Sequence, residues 1–245
     1  MRVQPGSAVL IDAVMPQPVI AALRSRALLN FALMFGFAWF IALSAQIAVR
    51  LPWTTVPVTG QTFAVLVTGG ALGAKRGAGA ALIYMVMGLI GLPVFAPVAG
   101  AFGLEGEWDM HFLFPWIGVS SFVWQMSSGG YIVGFILAAY ITGRFSESGW
   151  DRKPWTAFGM LLANLAVYVP GLLWLFYLIA SGWVPPGAPQ PIGEYIAGTG
   201  TLSKTLQGGL YPFIVGDLMK LYLASLILPA AWLLVNRSNK GDGKG

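Results

Sequence analysis

Six apolar stretches, each long enough or nearly long enough to cross a bilayer, divide this chain: about Ala27–Val49, Val58–Ala74, Gly77–Phe95, Gly130–Gly143, Trp155–Ala180 and Leu210–Val235. A spanning helix needs about 20 mostly apolar residues to cross roughly 30 Å of hydrocarbon. The composition agrees, since only 9% of the 245 residues are charged and 57% are hydrophobic, whereas soluble domains carry about 25% charged residues. A water-soluble enzyme, a disulfide scaffold and a nucleic-acid binder are excluded. The expected fold class is an all-α polytopic membrane protein, a six-helix transmembrane bundle over residues 27–235 with tails at 1–26 and 236–245.

Loop charge sets the orientation. With six spans, Arg24, Arg26, Lys75, Arg76, Arg144, Arg152, Lys153, Arg237, Lys240 and Lys244 fall on one side, and Glu105, Glu107, Asp109 and Glu194 face only Arg50 and Lys204 on the other. Cytoplasmic loops concentrate Lys and Arg, so both termini are expected in the cytoplasm. The net charge of +5 has the same cause and calls for no nucleic acid. Counting His111–Trp124 as a seventh span would send Arg144, Arg152 and Lys153 outside, so that segment reads as an external hairpin or interfacial element. The stretches Ala96–Ser128 and Ser181–Gly209 read as long external loops. Arg24 and Arg26 precede an apolar run too long for a secretory signal, so it reads as a retained helix.

Ionisable groups within spans are costly and mark function. Asp217 and Lys220, in YPFIVGDLMKLYLAS, lie three apart on one helix face. They are read either as mutual neutralisation or as a polar patch for a charged ligand. Asn164, Tyr168 and Gly171 form one stripe on the fifth span, and Tyr84, Gly88 and Gly91 form another on the third. Such residues serve helix packing or line a ligand pocket. Ala38 and Ala42 make a small-residue pair for close packing on the first span, against either the chain's own helices or another subunit.

Other chemistries are absent from the sequence. There is no cysteine, His111 is the single histidine, and H-E-x-x-H is missing, so no resident metal or cofactor is expected. GGALGAKRG fails the P-loop spacing, so ATP hydrolysis by that route must come from another subunit.

The stretch LPWTTVPVTGQTFAVLVTGGALGAKRGAGAALIYMVMGLIGLPVF, Leu51–Phe95, resembles the BioY family, the biotin-specific substrate-binding (S) components of energy-coupling-factor transporters. The resemblance resumes at Gly129-Gly130-Tyr131, Tyr168, Gly171 and Trp174-Leu175, and ends with Pro212-Phe213, Gly216-Asp217 and Lys220. It implies capture of biotin from the outer face of the cell membrane, without chemistry, by a protein that works with a transmembrane coupling subunit and cytoplasmic ATPases. It also implies that Asp217 and Lys220 contact the ligand, and that Ala38 and Ala42 form a docking surface for the coupling subunit. The sequence departs from the family at Met126, Ser127 and Ser128 and in a longer Pro97–Gln125 loop.

Biotin presents a cyclic urea, an apolar sulfur ring and a carboxylate. Lys220 is the expected cation, and Asp217 accepts a ligand N–H or holds Lys220. Asn164, Tyr84 and Gln61 are candidates for the urea, and Tyr168, Ser128 and Tyr131 complete the candidate site. Segments around Trp53–Thr59 and Gln125–Tyr131 are expected to close over the ligand. An S component for another vitamin, an ion-coupled carrier acting alone and an intramembrane enzyme using Asp217 are the alternatives.

Overall fold

The computed structural model describes residues 9–14, 26–97, 109–153 and 155–242, the last six without their side chains. The side chains of Arg24, Arg237, Lys240 and Lys244, and the acids Glu105 and Glu107, lie outside the described residues. In chain order the helices are α1 (Leu10–Val14), α2 (Arg26–Ala45), α3 (Gln61–Leu72), α4 (Ala74–Leu89), α5 (Gly129–Glu147), α6 (Thr156–Ala180), α7 (Thr201–Gly209) and α8 (Tyr211–Asp242). Every apolar stretch of the sequence carries a helix. Three helical stretches are long and apolar enough to cross a membrane, Arg26–Ala45, Thr156–Ala180 and Thr201–Asn236; α3 and α4 are shorter, at 12 and 16 residues. The chain is a membrane protein whose surface carries Leu165, Val169 and Leu173 of α6 and Val215, Met219 and Leu223 of α8 as exposed apolar side chains.

Two regions depart from the reading of the sequence. The first helix stops at Ala45, and Ile47–Arg50 forms strand β1. β1 pairs antiparallel with β2 (Val58–Thr59) through Ala48↔Thr59, and with β3 (Asp109–Phe112) through Ala48↔His111 and Arg50↔Asp109, giving the order β2-β1-β3. Arg50 and Asp109 form an ion pair across β1 and β3. The alternation of β-branched Ile47 and Val49 suits a pleat better than a helix. Gln46 locks the switch. Its side chain is fully buried, donates to the Phe95 carbonyl at 3.5 Å, and accepts from the Ile117 amide at 3.3 Å. The second departure is α7, within a stretch read as loop; its polar composition, TLSKTLQGG, hides it from any search for apolar runs.

Small residues set how closely the helices approach. A Cβ on Gly130 of α5 would lie 2.3 Å from the Pro170 carbonyl oxygen of α6, and one on Gly171 of α6 would lie 2.5 Å from the Tyr131 ring. The turn between α3 and α4 is the single residue Gly73, at φ +83°, a backbone conformation that glycine adopts without steric cost.

Polar contacts gather at one end of the bundle. Arg76 at the start of α4 makes a bidentate pair with Asp12 of α1, at 2.8 and 2.7 Å. Glu147 of α5 accepts from the Ala74 amide at 2.9 Å. Asp151 in the α5–α6 connection accepts from Trp232 of α8 at 2.5 Å and from Ser146 at 3.0 Å. The sheet, α7 and the 183–200 connection lie at the opposite end.

The alanine pair faces inward. Ala38 and Ala42 are both 0% exposed and belong to the core cluster of the chain's own bundle. α2 lays this small-residue face on α3 and α4, because close approach of helices is where small side chains are spent. The face expected to dock a coupling subunit packs here against α3 and α4 of the same chain.

Candidate ligand cavity

A cavity of about 50 Å³ lies between α3, α4, α5, α6 and α8, toward the sheet end. Gln61, Tyr84, Ser128, Tyr131, Tyr168, Asp217 and Lys220 all line it. Asn164 is buried one helical turn before Tyr168 but is not among the lining residues, and its amide oxygen has no hydrogen-bond partner among the described residues.

The acidic end of the cavity is built by three helices. Buried apolar residues on α8 follow one face, Phe213, Leu221, Ala224 and Leu228, and that periodicity turns Asp217 inward to 4% exposure. Asp217 Oδ1 accepts from Lys220 Nζ at 2.8 Å and from Thr62 Oγ1 of α3 at 3.0 Å, while Oδ2 accepts from the Tyr168 hydroxyl of α6 at 2.5 Å. A carboxylate offers about four acceptor positions, so protein donors occupy most of them. Asp217 thus holds Lys220 rather than standing open to a ligand N–H. Lys220 has three donors and one is committed here.

The neutral end is assembled by α3 and α4. Gln61 accepts from Thr59 Oγ1 at 2.9 Å and donates from Nε2 to the Tyr84 hydroxyl oxygen at 2.6 Å. Tyr84 is fully buried and meets Phe95 edge-on, with ring centroids 5.5 Å apart. Because that phenol oxygen accepts from Gln61, its own O–H points onward as a donor. Tyr131 differs: its hydroxyl donates to the Gly209 carbonyl at 2.7 Å, so its ring is wall rather than polar contact. Phe135, Val167 and Phe213 complete the apolar lining.

This geometry has counterparts among known proteins. The model of the BioY family matches residues 18–237, nearly the whole chain and including every lining residue. The chain belongs to the BioY family. A probable biotin transporter BioY of Pyrococcus horikoshii is 30% identical over 193 residues, covering 78% of this chain and 90% of that protein. The biotin transporter BioY of Thermotoga maritima is 28% identical over 180 residues, covering 73% and 82%. Among solved structures, the crystal structure of the S-component for biotin from an ECF-type ABC transporter superposes with a TM-score of 0.61 at 18% identity, covering 89% of this chain and 94% of that one. The BioY-family chain therefore shares the S-component fold.

Sequence reasoning missed Thr59 and Thr62, which orient Gln61 and Asp217. Both stand in the VTGQTF run that carries the resemblance to the BioY family. Only their hydroxyls, on β2 and at the start of α3, could have flagged them. Met126, Ile132, Phe135 and Val167 were missed as lining because apolar side chains in a bundle look alike until the helices are placed.

Proposed function

We propose that this chain is the biotin-capturing S component of an energy-coupling-factor transporter in the cell membrane. Six helices, α2–α6 and α8, span the bilayer. Residues 1–26 and 236–245 are cytoplasmic tails, the end bearing Arg76 and Asp151 is the cytoplasmic end, and the sheet end is outside. The observation that carries the reading is the Lys220 ammonium, held 2.8 Å from a buried Asp217 in a largely apolar cavity. A cation kept at that depth is costly without a purpose, and an anionic tail on an apolar ring system supplies one.

In this reading Lys220 pairs with the biotin carboxylate and Asp217 fixes the ammonium through its other contacts. Tyr84 and Gln61 face the urea, joined by Asn164 once the ligand or a water reaches its free amide oxygen. Tyr131, Tyr168 and Phe213 wall the ring, and Ser128 lies at the rim. A transmembrane coupling subunit and cytoplasmic ATPases supply the energy. With Ala38 and Ala42 buried, the coupling subunit docks elsewhere on the apolar exterior. The relatives named as biotin transporters and the S-component fold support this assignment.

Equilibrium binding of labelled biotin to the purified protein, with riboflavin and thiamine as competitors, tests it. Saturable binding displaced by unlabelled biotin alone is expected. Displacement by either competitor, or no binding of biotin, overturns it.

A further inference from the structure

Two acids are buried among the described residues: Asp217 in the ligand cavity and Asp151 at the opposite end of the bundle. Asp151 Oδ1 has no hydrogen-bond partner among the described residues, and Arg152 Nε stands 3.7 Å from it. Phe145, Met160 and Leu228 help to line a small cavity of about 10 Å³ beside it, and Asp151 is the only charged residue of that lining. Oδ2 is crowded by contrast. Trp232 of α8 donates to it at 2.5 Å, and Ser146 Oγ of α5 lies 3.0 Å away. The same Ser146 oxygen lies 2.6 Å from the Gly70 carbonyl oxygen. That carbonyl is among the last four of α3, which a helix leaves without donors of its own. A serine hydroxyl has one proton, and here it faces two acceptors. With Asp151 ionised, one of these short oxygen–oxygen contacts has no proton in it.

We propose that Asp151 is a proton-binding site: near neutral pH its carboxyl is neutral, with Oδ2–H donating to Ser146 Oγ and Ser146 donating in turn to the Gly70 carbonyl. One proton taken from solvent fills both contacts, and Trp232 keeps the remaining lone pair of Oδ2. Oδ1 becomes a neutral carbonyl oxygen, which costs far less to bury without a donor than half of a carboxylate. Burial acts in the same direction and raises the carboxyl above its usual range. Arg152, on the same turn, opposes this, but at 3.7 Å and with its side chain 39% exposed its charge is screened by water. Arg144 and Glu147 of α5 pair with each other at 3.0 Å. α6 and α8 present Thr156, Met160, Leu228 and Trp232 to the site, none of them charged. The proton thus completes a chain from α3 through α5 to the α5–α6 connection and α8. On its loss Ser146 must leave the Gly70 carbonyl to serve the carboxylate, and α3 is unfastened from the joint that holds α8. The site needs no ligand and is independent of the biotin reading.

Aspartate labelled at the carboxyl carbon lets infrared spectra of the full chain in lipid nanodiscs single out protonated acids. Near neutral pH the wild type should show a protonated aspartate band that Asp151→Asn loses. Hydrogen bonds to the neutral form raise a carboxyl pKa, and those to the charged form lower it. Ser146→Ala, which breaks the relay, should therefore move the titration of that band down by about one pH unit. Trp232→Phe, which removes a donor, should move it up by about as much. These opposite shifts identify the group even if Asp151→Asn does not fold. Absence of a protonated band near neutral pH overturns the proposal. So does a titration that stays or rises in Ser146→Ala, the behaviour of a serine that merely donates to a carboxylate.

Discussion

The Tyr168 hydroxyl donates to Asp217 across the α6–α8 gap at 2.5 Å, on the oxygen that Lys220 does not use. On the proposed reading Tyr168 acts on the ligand at one remove. It helps fix the acid that holds the cation, and hydrogen bonds to a charged group are worth about 1.5–3 kcal/mol. Tyr168→Phe should weaken biotin binding about tenfold, measured by calorimetry. Wild-type affinity in this variant would leave Tyr168 with a packing role only.

Removing the ammonium should cost more. Truncating one partner of a buried charge pair costs about 2–5 kcal/mol, so Lys220→Met should raise the Kd for biotin at least about 30-fold. The diagnostic measurement compares biotin with its neutral amide. Wild type should prefer the free acid, and the variant should bind the two alike. A preference that survives in Lys220→Met would place the carboxylate elsewhere.

Tyr84→Phe keeps the ring against Phe95 but strands the Gln61 Nε2 donor, which has the Tyr84 oxygen at 2.6 Å in the intact protein. A buried donor left unsatisfied costs about 1–3 kcal/mol. The ligand-free protein should melt at lower temperature, and biotin affinity should drop with the lost phenol donor. An unaltered melt would mean that Gln61 finds another acceptor.

Gly171→Ala places a methyl 2.5 Å from the Tyr131 ring. Overpacking of this kind costs about 1–3 kcal/mol. Tyr131 yields only by moving into the cavity or by breaking its bond to Gly209. Thermal stability and biotin affinity should both fall, and restored affinity in Gly171→Ala combined with Tyr131→Leu would confirm the clash as the cause.

Asp151 sets a pH response at the other end of the molecule. Burial pushes its carboxyl above the usual range, opposed by hydrogen bonds from Trp232 and Ser146 and by the charge of Arg152. A carboxyl with a raised folded pKa favours the folded state fully below its unfolded pKa, and that contribution is lost as pH rises through the folded value. Wild-type stability should therefore decline with pH above the ordinary carboxylate range, and Asp151→Asn should remove that part of the slope. Parallel melting curves across that window would refute the assignment.

The apolar runs revealed the helices because helix insertion is written in composition. Asp217 and Lys220 stood out for the same reason in reverse, as polar groups where lipid makes them costly. The sheet was hidden because Ile47–Arg50 continues an apolar run and its pairing depends on a partner strand about sixty residues away. α7 was hidden because its amphipathic, polar sequence carries no hydrophobic signal. The inward turn of Ala38 and Ala42 was undecidable from spacing, since a small-residue stripe fits a neighbouring helix of the same chain as well as a foreign one.

Thr62, Tyr168 and Lys220 reach the same carboxylate from α3, α6 and α8. If any of these helices slides or tilts against the other two, one strand of that knot parts beside Lys220, the group proposed to grip the vitamin's tail. On the proposed reading, a tilt of the bundle would loosen the grip on its cargo in the same movement, with no separate trigger to let go.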